Sequence, residues 1–141
     1  LENGTKAGTE TQKKPSFKFG WNKNHNGQWW YADSPNSYIA GRWSLINGRW
    51  YVFDMKGYMI VGWFKQGPEW YYLNTDGAML SGQWISIDGK SYYMQESGLM
   101  ARNSYIKSKD KNMYYWVDSD GEYKNEFDTT DPDLSKYQLV K

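Results

Sequence analysis

The stretch Gly62-Trp63-Phe64-Lys65-Gln66-Gly67-Pro68-Glu69-Trp70-Tyr71-Tyr72-Leu73-Asn74-Thr75-Asp76-Gly77-Ala78-Met79 decides how this chain is read. It holds two tryptophans seven residues apart, a turn between them, an aromatic run, and a second turn ending in methionine. Moved upstream it falls on Gly41 to Met59 and then on Gly20 to Ile39. Moved downstream it falls on Gly82 to Met100 and, degraded, on Arg102 to Tyr123. The first aromatic of each copy is Trp21, Trp43, Trp63, Trp84 and Tyr105, in steps of 22, 20, 21 and 21. The second falls at Trp29, Trp50, Trp70, Ser91 and Met113, and the last apolar position at Ile39, Met59, Met79, Met100 and Tyr123. Three marks on one period of about 20 residues mean a repeat array.

Turn residues punctuate each copy. Asn26-Gly27, Asn47-Gly48 and Asp88-Gly89 follow the first aromatic strand in three copies. Asn, Asp and Gly tolerate the positive φ of tight hairpin turns, so each reads as a β-hairpin. Gln66-Gly67-Pro68 fills that slot in the third copy, and Pro68, with no N–H, belongs in the turn or on an edge. Lys56-Gly57, Asp76-Gly77, Ser97-Gly98 and Asp120-Gly121 read as connectors to the next hairpin. One hairpin is marginal in water, so stability requires stacking neighbours on one another. Along Trp70-Tyr71-Tyr72-Leu73, Trp70 and Tyr72 share one face while Tyr71 and Leu73 share the other. The predicted fold is all-β, a solenoid of stacked β-hairpins.

The array spans residues 19–124, with copies at about 20–40, 41–61, 62–81, 82–101 and 102–124. Residues 1–18 have linker composition, and Lys13-Lys14 reads as solvated linker. Residues 125–141 break the pattern and read as a terminal cap or a linker to another module. Seven acids at 118, 120, 122, 126, 128, 131 and 133 crowd this end against one base, Lys124. The chain starts Leu1-Glu2-Asn3-Gly4 without a methionine, as expected of a processed chain or a piece of a longer one, and it shows no signal peptide.

Composition narrows the chemistry. Aromatics are 19% of the 141 residues, so the stabilising surface is expected to be rings, each burying ~150–250 Å². The net charge of +1 gives no global field to draw nucleic acid. Without cysteine there is no disulfide framework or thiolate metal site, a usage that suits exported proteins of Gram-positive bacteria. No run approaches the ~20 apolar residues of a membrane span. His25 has no Cys or second His to make a metal set. The acids Asp54, Glu69, Asp76, Asp88 and Glu96 sit on the repeat period in turns or connectors, where turn chemistry accounts for them. Neither a carboxylate pair across a cleft, nor a Ser/His/Asp set, nor a phosphate loop is legible. The expectation is a binding module with no catalytic residue, no metal and no cofactor.

Gly62-Trp63, Trp70-Tyr71-Tyr72 and Gly77-Ala78-Met79 together resemble the signature of choline-binding repeats, the cell-wall anchoring modules of streptococcal and phage choline-binding proteins. The resemblance covers about residues 20–124. It implies a left-handed superhelix of hairpins on the cell surface, with choline of teichoic and lipoteichoic acids held in grooves between consecutive hairpins. Nucleic-acid binding and membrane insertion are not implied, whereas a homodimer is compatible with it. Carried over, the first groove takes Trp21 and Trp29 with Tyr51, and the second takes Trp43 and Trp50 with Tyr71 or Tyr72. The third takes Trp63 and Trp70 with Tyr92 or Tyr93. Met59, Met79 and Met100 close grooves. Ring faces attract a quaternary ammonium that cannot hydrogen-bond, and thioethers add polarizable walls, so the residue types suit the ligand.

Departures set the expected exceptions. Ser91 stands in the second-aromatic slot of copy four, so the groove of Trp84 is expected to bind weakly or not at all. Val52 leaves Tyr51 as the aromatic choice in copy two, and copy one has an eight-residue Trp spacing and an extra Trp30. Copy five, with Tyr105 and Met113, is expected to be structural, and Tyr38, Tyr58, Tyr93 and Trp116 are assigned to packing. The competing readings are a glucan-binding repeat, whose sugars need polar partners beside the rings, and a spacer with decayed sites that presents a neighbouring module or binds a host protein.

Overall fold

Short runs rich in aromatic residues, bounded by Asn, Asp and Gly, can satisfy their backbones as paired strands. In the computed structural model, which describes residues 17–140, they do so. The strands are β1 Gly20–Lys23, β2 Trp29–Ser34, β3 Ser37–Tyr38, β4 Trp43–Ile46, β5 Arg49–Val52, β6 Gly62–Gln66, β7 Glu69–Leu73, β8 Gln83–Ile87, β9 Lys90–Met94, β10 Ser104–Lys107, β11 Tyr114–Val117 and β12 Gln138–Val140. Five antiparallel hairpins result: β1–β2, β4–β5, β6–β7, β8–β9 and β10–β11. The first gains β3 and the fifth gains β12, which runs parallel to β10. Most of the expected linker lies outside the described residues, but Phe17 packs edge-on to Trp30 at 5.1 Å.

The hairpin turns follow the predicted chemistry in two copies. Asn47-Gly48 has φ of 52 and 80°, and Asp88-Gly89 has 52 and 79°, the double positive φ of a type I′ turn. Gly67-Pro68 is a two-residue loop with φ of 59° at glycine, so Pro68 occupies the turn. Asn26-Gly27 is different. Asn24 accepts N–H bonds from Asn26 and Gln28 on its side-chain oxygen, both at 2.9 Å, in a five-residue loop. Asp54 and Asp118 make the same two bonds in the connectors, to Lys56 and Tyr58 and to Asp120 and Glu122. The first hairpin thus closes with a connector-type turn.

Pairing fixes a register that residue counting blurs. Opposite the first aromatic stand Tyr31, Val52, Tyr93 and Trp116, partners of Trp21, Trp43, Trp84 and Tyr105. Counting two residues back places Trp29, Trp50, Ser91 and Tyr114 in the second-aromatic column. The eight-residue spacing in copy one is therefore absorbed by the loop, and Trp30 points to the opposite face, 3% exposed. In copy five the second aromatic is Tyr114, not Met113. In copy one, Tyr38 and not Ile39 holds the methionine column. Ala32, Phe53, Leu73, Met94 and Val117 pair across to Tyr38, Met59, Met79, Met100 and Tyr123. Ala32, Phe53, Leu73, Met94 and Val117 are 0–2% exposed, so each copy buries one apolar residue of varying size at this position, beyond the core of rings that composition suggested.

The described residues divide into two compact units. One holds the residues up to Gly62 together with Leu73–Met79, and the other holds Trp63–Tyr72 with the residues from Leu80 onward. Stacking inside each uses one repeated backbone bond. Met59 N–H donates to the Trp29 carbonyl at 2.8 Å and Met79 N–H to the Trp50 carbonyl at 2.9 Å. In the second unit Met100 donates to Trp70 and Tyr123 to Ser91, both at 2.9 Å. The closing residue of one copy thus docks on the second strand of the copy before it. Leu73–Met79 belongs to the first unit for that reason, and its Ala78 is buried with Ile39, Ile46, Tyr51 and Phe53.

The acid-rich end is used locally. Glu122 pairs with Lys124 at 3.2 Å and Lys90 at 3.4 Å, and the Lys124 hydrogen bond holds its carboxyl below the usual range. Residues 125–127 make one 3-10 turn, and Phe127 and Tyr137 pack on Trp116 at 5.3 and 5.5 Å. Residues 125–140 therefore fold against the fifth hairpin.

Candidate aromatic grooves

Two hollows of near-identical construction occur, one in each unit. In the first, Trp21 stands edge-on to Trp29 at 6.3 Å and 85°, and to Tyr51 at 4.9 Å and 68°. These rings, with Met59, Thr75 and Asp76, line a hollow of about 320 Å³. In the second, Trp63 stands edge-on to Trp70 at 6.0 Å and 87°, and to Tyr92 at 4.9 Å and 76°. These rings, with Met100, Arg102, Ser119 and Asp120, line a hollow of about 310 Å³. The first tryptophan is the back wall, while the second tryptophan and the next copy's tyrosine are side walls. Trp29 remains 39% exposed, a large apolar face open to water.

The backbone explains why these side chains converge. The Met59–Trp29 and Met100–Trp70 hydrogen bonds bring each methionine beside the second tryptophan of the preceding copy. Each methionine is then backed by a glycine one copy further on. A Cβ on Gly77 would strike the Met59 side chain, and one on Gly121 would strike Met100. Three consecutive copies therefore build each hollow. This brings in Thr75, Asp76, Arg102, Ser119 and Asp120, which reasoning from the aromatic columns missed. Four of them carried a signal on the same period, as the polar pairs Thr75-Asp76 and Ser119-Asp120 before connector glycines, whereas Arg102 carried none.

The tyrosine pairs divide cleanly. Tyr92 lines the hollow, while Tyr93 is 8% exposed and packs on Trp84 at 5.3 Å, so Tyr93 is not a wall of the Trp63–Trp70 groove. Burial pushes the Tyr92 phenol above its ordinary value. Tyr72 packs on Trp63 at 5.0 Å within its own hairpin, which places Tyr71 in the column of Tyr51 and Tyr92. Of the expected second groove, Trp43 and Trp50 lie in the first unit and Tyr71 and Tyr72 in the second, while Met79 lies in the first.

A cation of the chain itself already sits beside some of these rings. Lys23 Nζ lies 5.4 Å from the Trp29 ring centre and Lys65 Nζ 5.8 Å from that of Trp70. Lys107 stands likewise over Tyr114 at 5.5 Å. The indole faces are thus electrostatically suited to ammonium groups.

The Trp84 groove is built otherwise. Ser91 supplies no ring, and Tyr123 stands in the methionine column. Trp84, Tyr115 and Tyr123 lie within 5.6–6.1 Å of one another, edge to face. The Tyr123 hydroxyl donates to Asp128, whose two oxygens lie at 2.8 and 3.0 Å. Burial first, and then the Asp128 contact, push the Tyr123 phenol up to about 12. A raised pKa means that the fold favours the neutral phenol. Its stabilising contribution is complete below the ordinary value of 10.0 and fades as pH rises to about 12. A phenolate absorbance titration should therefore show a late tyrosine in this window. Asp128→Asn should bring it part of the way down, since burial remains. Unchanged titration would exclude the Asp128 contact.

His25 is exposed and lines a separate hollow of about 660 Å³ with Asn24, Asn26, Gln28, Asp54, Met55, Lys56 and Tyr58, where no ring pair stands. Among the described residues, no three His, Cys, Asp or Glu side chains group to hold a metal. Nor is any described helix long and apolar enough to cross a membrane.

Comparison with known proteins places this architecture. Two sequence models, each described as a choline-binding repeat, match residues 40–84 and 78–123. The choline-binding domain of Spr1274 from Streptococcus pneumoniae is 38% identical, over 58% of this chain and 92% of that one, with a TM-score of 0.52. The chain belongs to the choline-binding repeat family. Choline-binding protein F of S. pneumoniae is 35% identical over 76% of this chain and 34% of its own, at a TM-score of 0.62. A multimodular cell-wall endolysin from phage Cp-1, solved with choline, is 27% identical over 93% of this chain and 43% of its own, also at 0.62. The chain thus spans about a third of the length of choline-binding proteins J and F. No match was found among curated proteins. The hairpin repeats described above are the repeats of this family.

Proposed function

We propose that this chain is a non-catalytic wall-binding module of the outer cell surface. It retains the protein that carries it on phosphocholine groups of teichoic and lipoteichoic acids. The ring-walled hollow repeated in both units supports this reading most. Trp21, Trp29, Tyr51 and Met59 match Trp63, Trp70, Tyr92 and Met100 position for position. Three faces at ~0.5–2 kcal/mol each leave a single site near millimolar affinity once association costs are counted. Several sites on one polymer raise the effective affinity by orders of magnitude, which gives repetition a binding role as well as a folding one. The Trp84 groove, filled by Tyr123, adds nothing to retention on this reading.

Tryptophan fluorescence titration with choline tests this directly. A saturable change in the millimolar range is expected with choline, and none with a glucan. Response to the glucan alone would replace the proposal with the carbohydrate reading, and silence to both would leave a spacer.

A further inference from the structure

The linings of the two hollows differ in one charged residue. The residue after Met59 donates its N–H to Val52, and the residue after Met100 donates its own to Tyr93, at 2.9 Å in both cases. Counting one further puts Val61 and Arg102 in the same column. Val61 is apolar and 52% exposed, whereas Arg102 lines the hollow of Trp63, Trp70 and Tyr92. Each hollow has a lysine beside its second tryptophan and an aspartate from the next connector. Asp76 of the first is paired with Arg49 at 3.3 Å, whereas Lys90, in the column of Arg49, pairs with Glu122.

We infer that Arg102 is an anion-recognition residue that makes the Trp63–Trp70 groove select phosphocholine over free choline. This rests on the proposed function and deepens it. Phosphocholine is a zwitterion, and a site that distinguishes it from choline needs a cationic donor beside the ring box. Arg102 Nη1 donates to the Pro68 carbonyl at 2.9 Å, which orients the guanidinium. Nη2 stands 3.6 Å from Glu69 Oε1, and both side chains are more than a third exposed, a loose pair that leaves donors for a second anion. Asp120 lines the same hollow and complements the ammonium end. A guanidinium meets a phosphate through two parallel hydrogen bonds, which water-exposed lysine does not reproduce. In the Trp21–Trp29 groove Val61 takes this column, and the nearby guanidinium of Arg49 is engaged with Asp76 at 3.3 Å.

The test uses the full chain and the indole N–H signals of Trp70 and Trp29 in two-dimensional NMR, titrated with choline and with O-phosphocholine. At Trp70 the phosphocholine midpoint should lie about three- to fivefold below the choline midpoint, the scale of one partly exposed ion pair. At Trp29 the two midpoints should lie closer together. Arg102→Gln should reduce the Trp70 ratio to that of Trp29, while Arg102→Lys should keep part of it. An unchanged Trp70 ratio in Arg102→Gln, or equal ratios at both indoles in the wild type, overturns the inference while choline binding stands. Failure of choline to move either signal removes the proposed function as well.

Discussion

Trp70→Ala should abolish most retention of the chain on a quaternary-amine matrix. Trp70 is a side wall of its groove, edge-on to Trp63 at 6.0 Å. Removing it takes away one of three ring faces, a loss of ~1–2 kcal/mol at that site, or roughly a five- to thirtyfold weaker site. Matrix retention multiplies contributions from linked sites, so the loss on a column should exceed the loss in free solution. The fold should survive, since the bond from Met100 N–H to residue 70 uses a backbone carbonyl, which alanine keeps. Trp70 also packs against the cluster of Ile85, Met94 and Met100, so some stability is lost. Thermal denaturation separates the effects, and Trp70→Phe keeps a smaller face and should retain an intermediate fraction. Full retention by Trp70→Ala would show that this groove is not the binding element.

The second large effect should come from a residue without a side chain. Gly77 has φ of 86°, and a Cβ there would run into the sulfur and both flanking carbons of Met59. Gly77→Ala therefore combines left-handed backbone strain of ~1–2 kcal/mol with displacement of a packed methionine, ~1–3 kcal/mol. Together they should lower Tm by about 8–15 °C. Gly48→Ala separates the two, because Gly48 has φ of 80° but nothing within 4 Å of a built Cβ. It should show the strain alone. Equal losses in the two variants would mean that Met59 yields freely. Because Met59 lines the Trp21–Trp29 hollow, Gly77→Ala should also weaken choline there more than Gly48→Ala does.

Much of this architecture was legible in the residues because it obeys a period. The hairpins, the turns at Asn47-Gly48 and Asp88-Gly89, and the placing of Trp63 beside Trp70 follow from the period and turn chemistry. What stayed hidden depends on pairing across strands. Residue counting put Ile39 and Met113 on repeat marks that pairing gives to Tyr38 and Tyr114. Loops absorb insertions that a fixed period spreads along the whole copy. The choice between Tyr92 and Tyr93 turns on which face each presents, and that needs the partner strand. Asp76, Arg102 and Asp120 reach their hollows from later copies, a distance that no single repeat reveals. Ala32, Phe53, Leu73, Met94 and Val117 vary too much in size to read as a column, yet all five are buried to within 2%.

The most direct test of the account is a crystal structure of the chain grown with saturating choline. A trimethylammonium group should lie between Trp29 and Tyr51 against Trp21, and another between Trp70 and Tyr92 against Trp63. Choline bound away from these rings, or both hollows filled only by water at saturation, would contradict it.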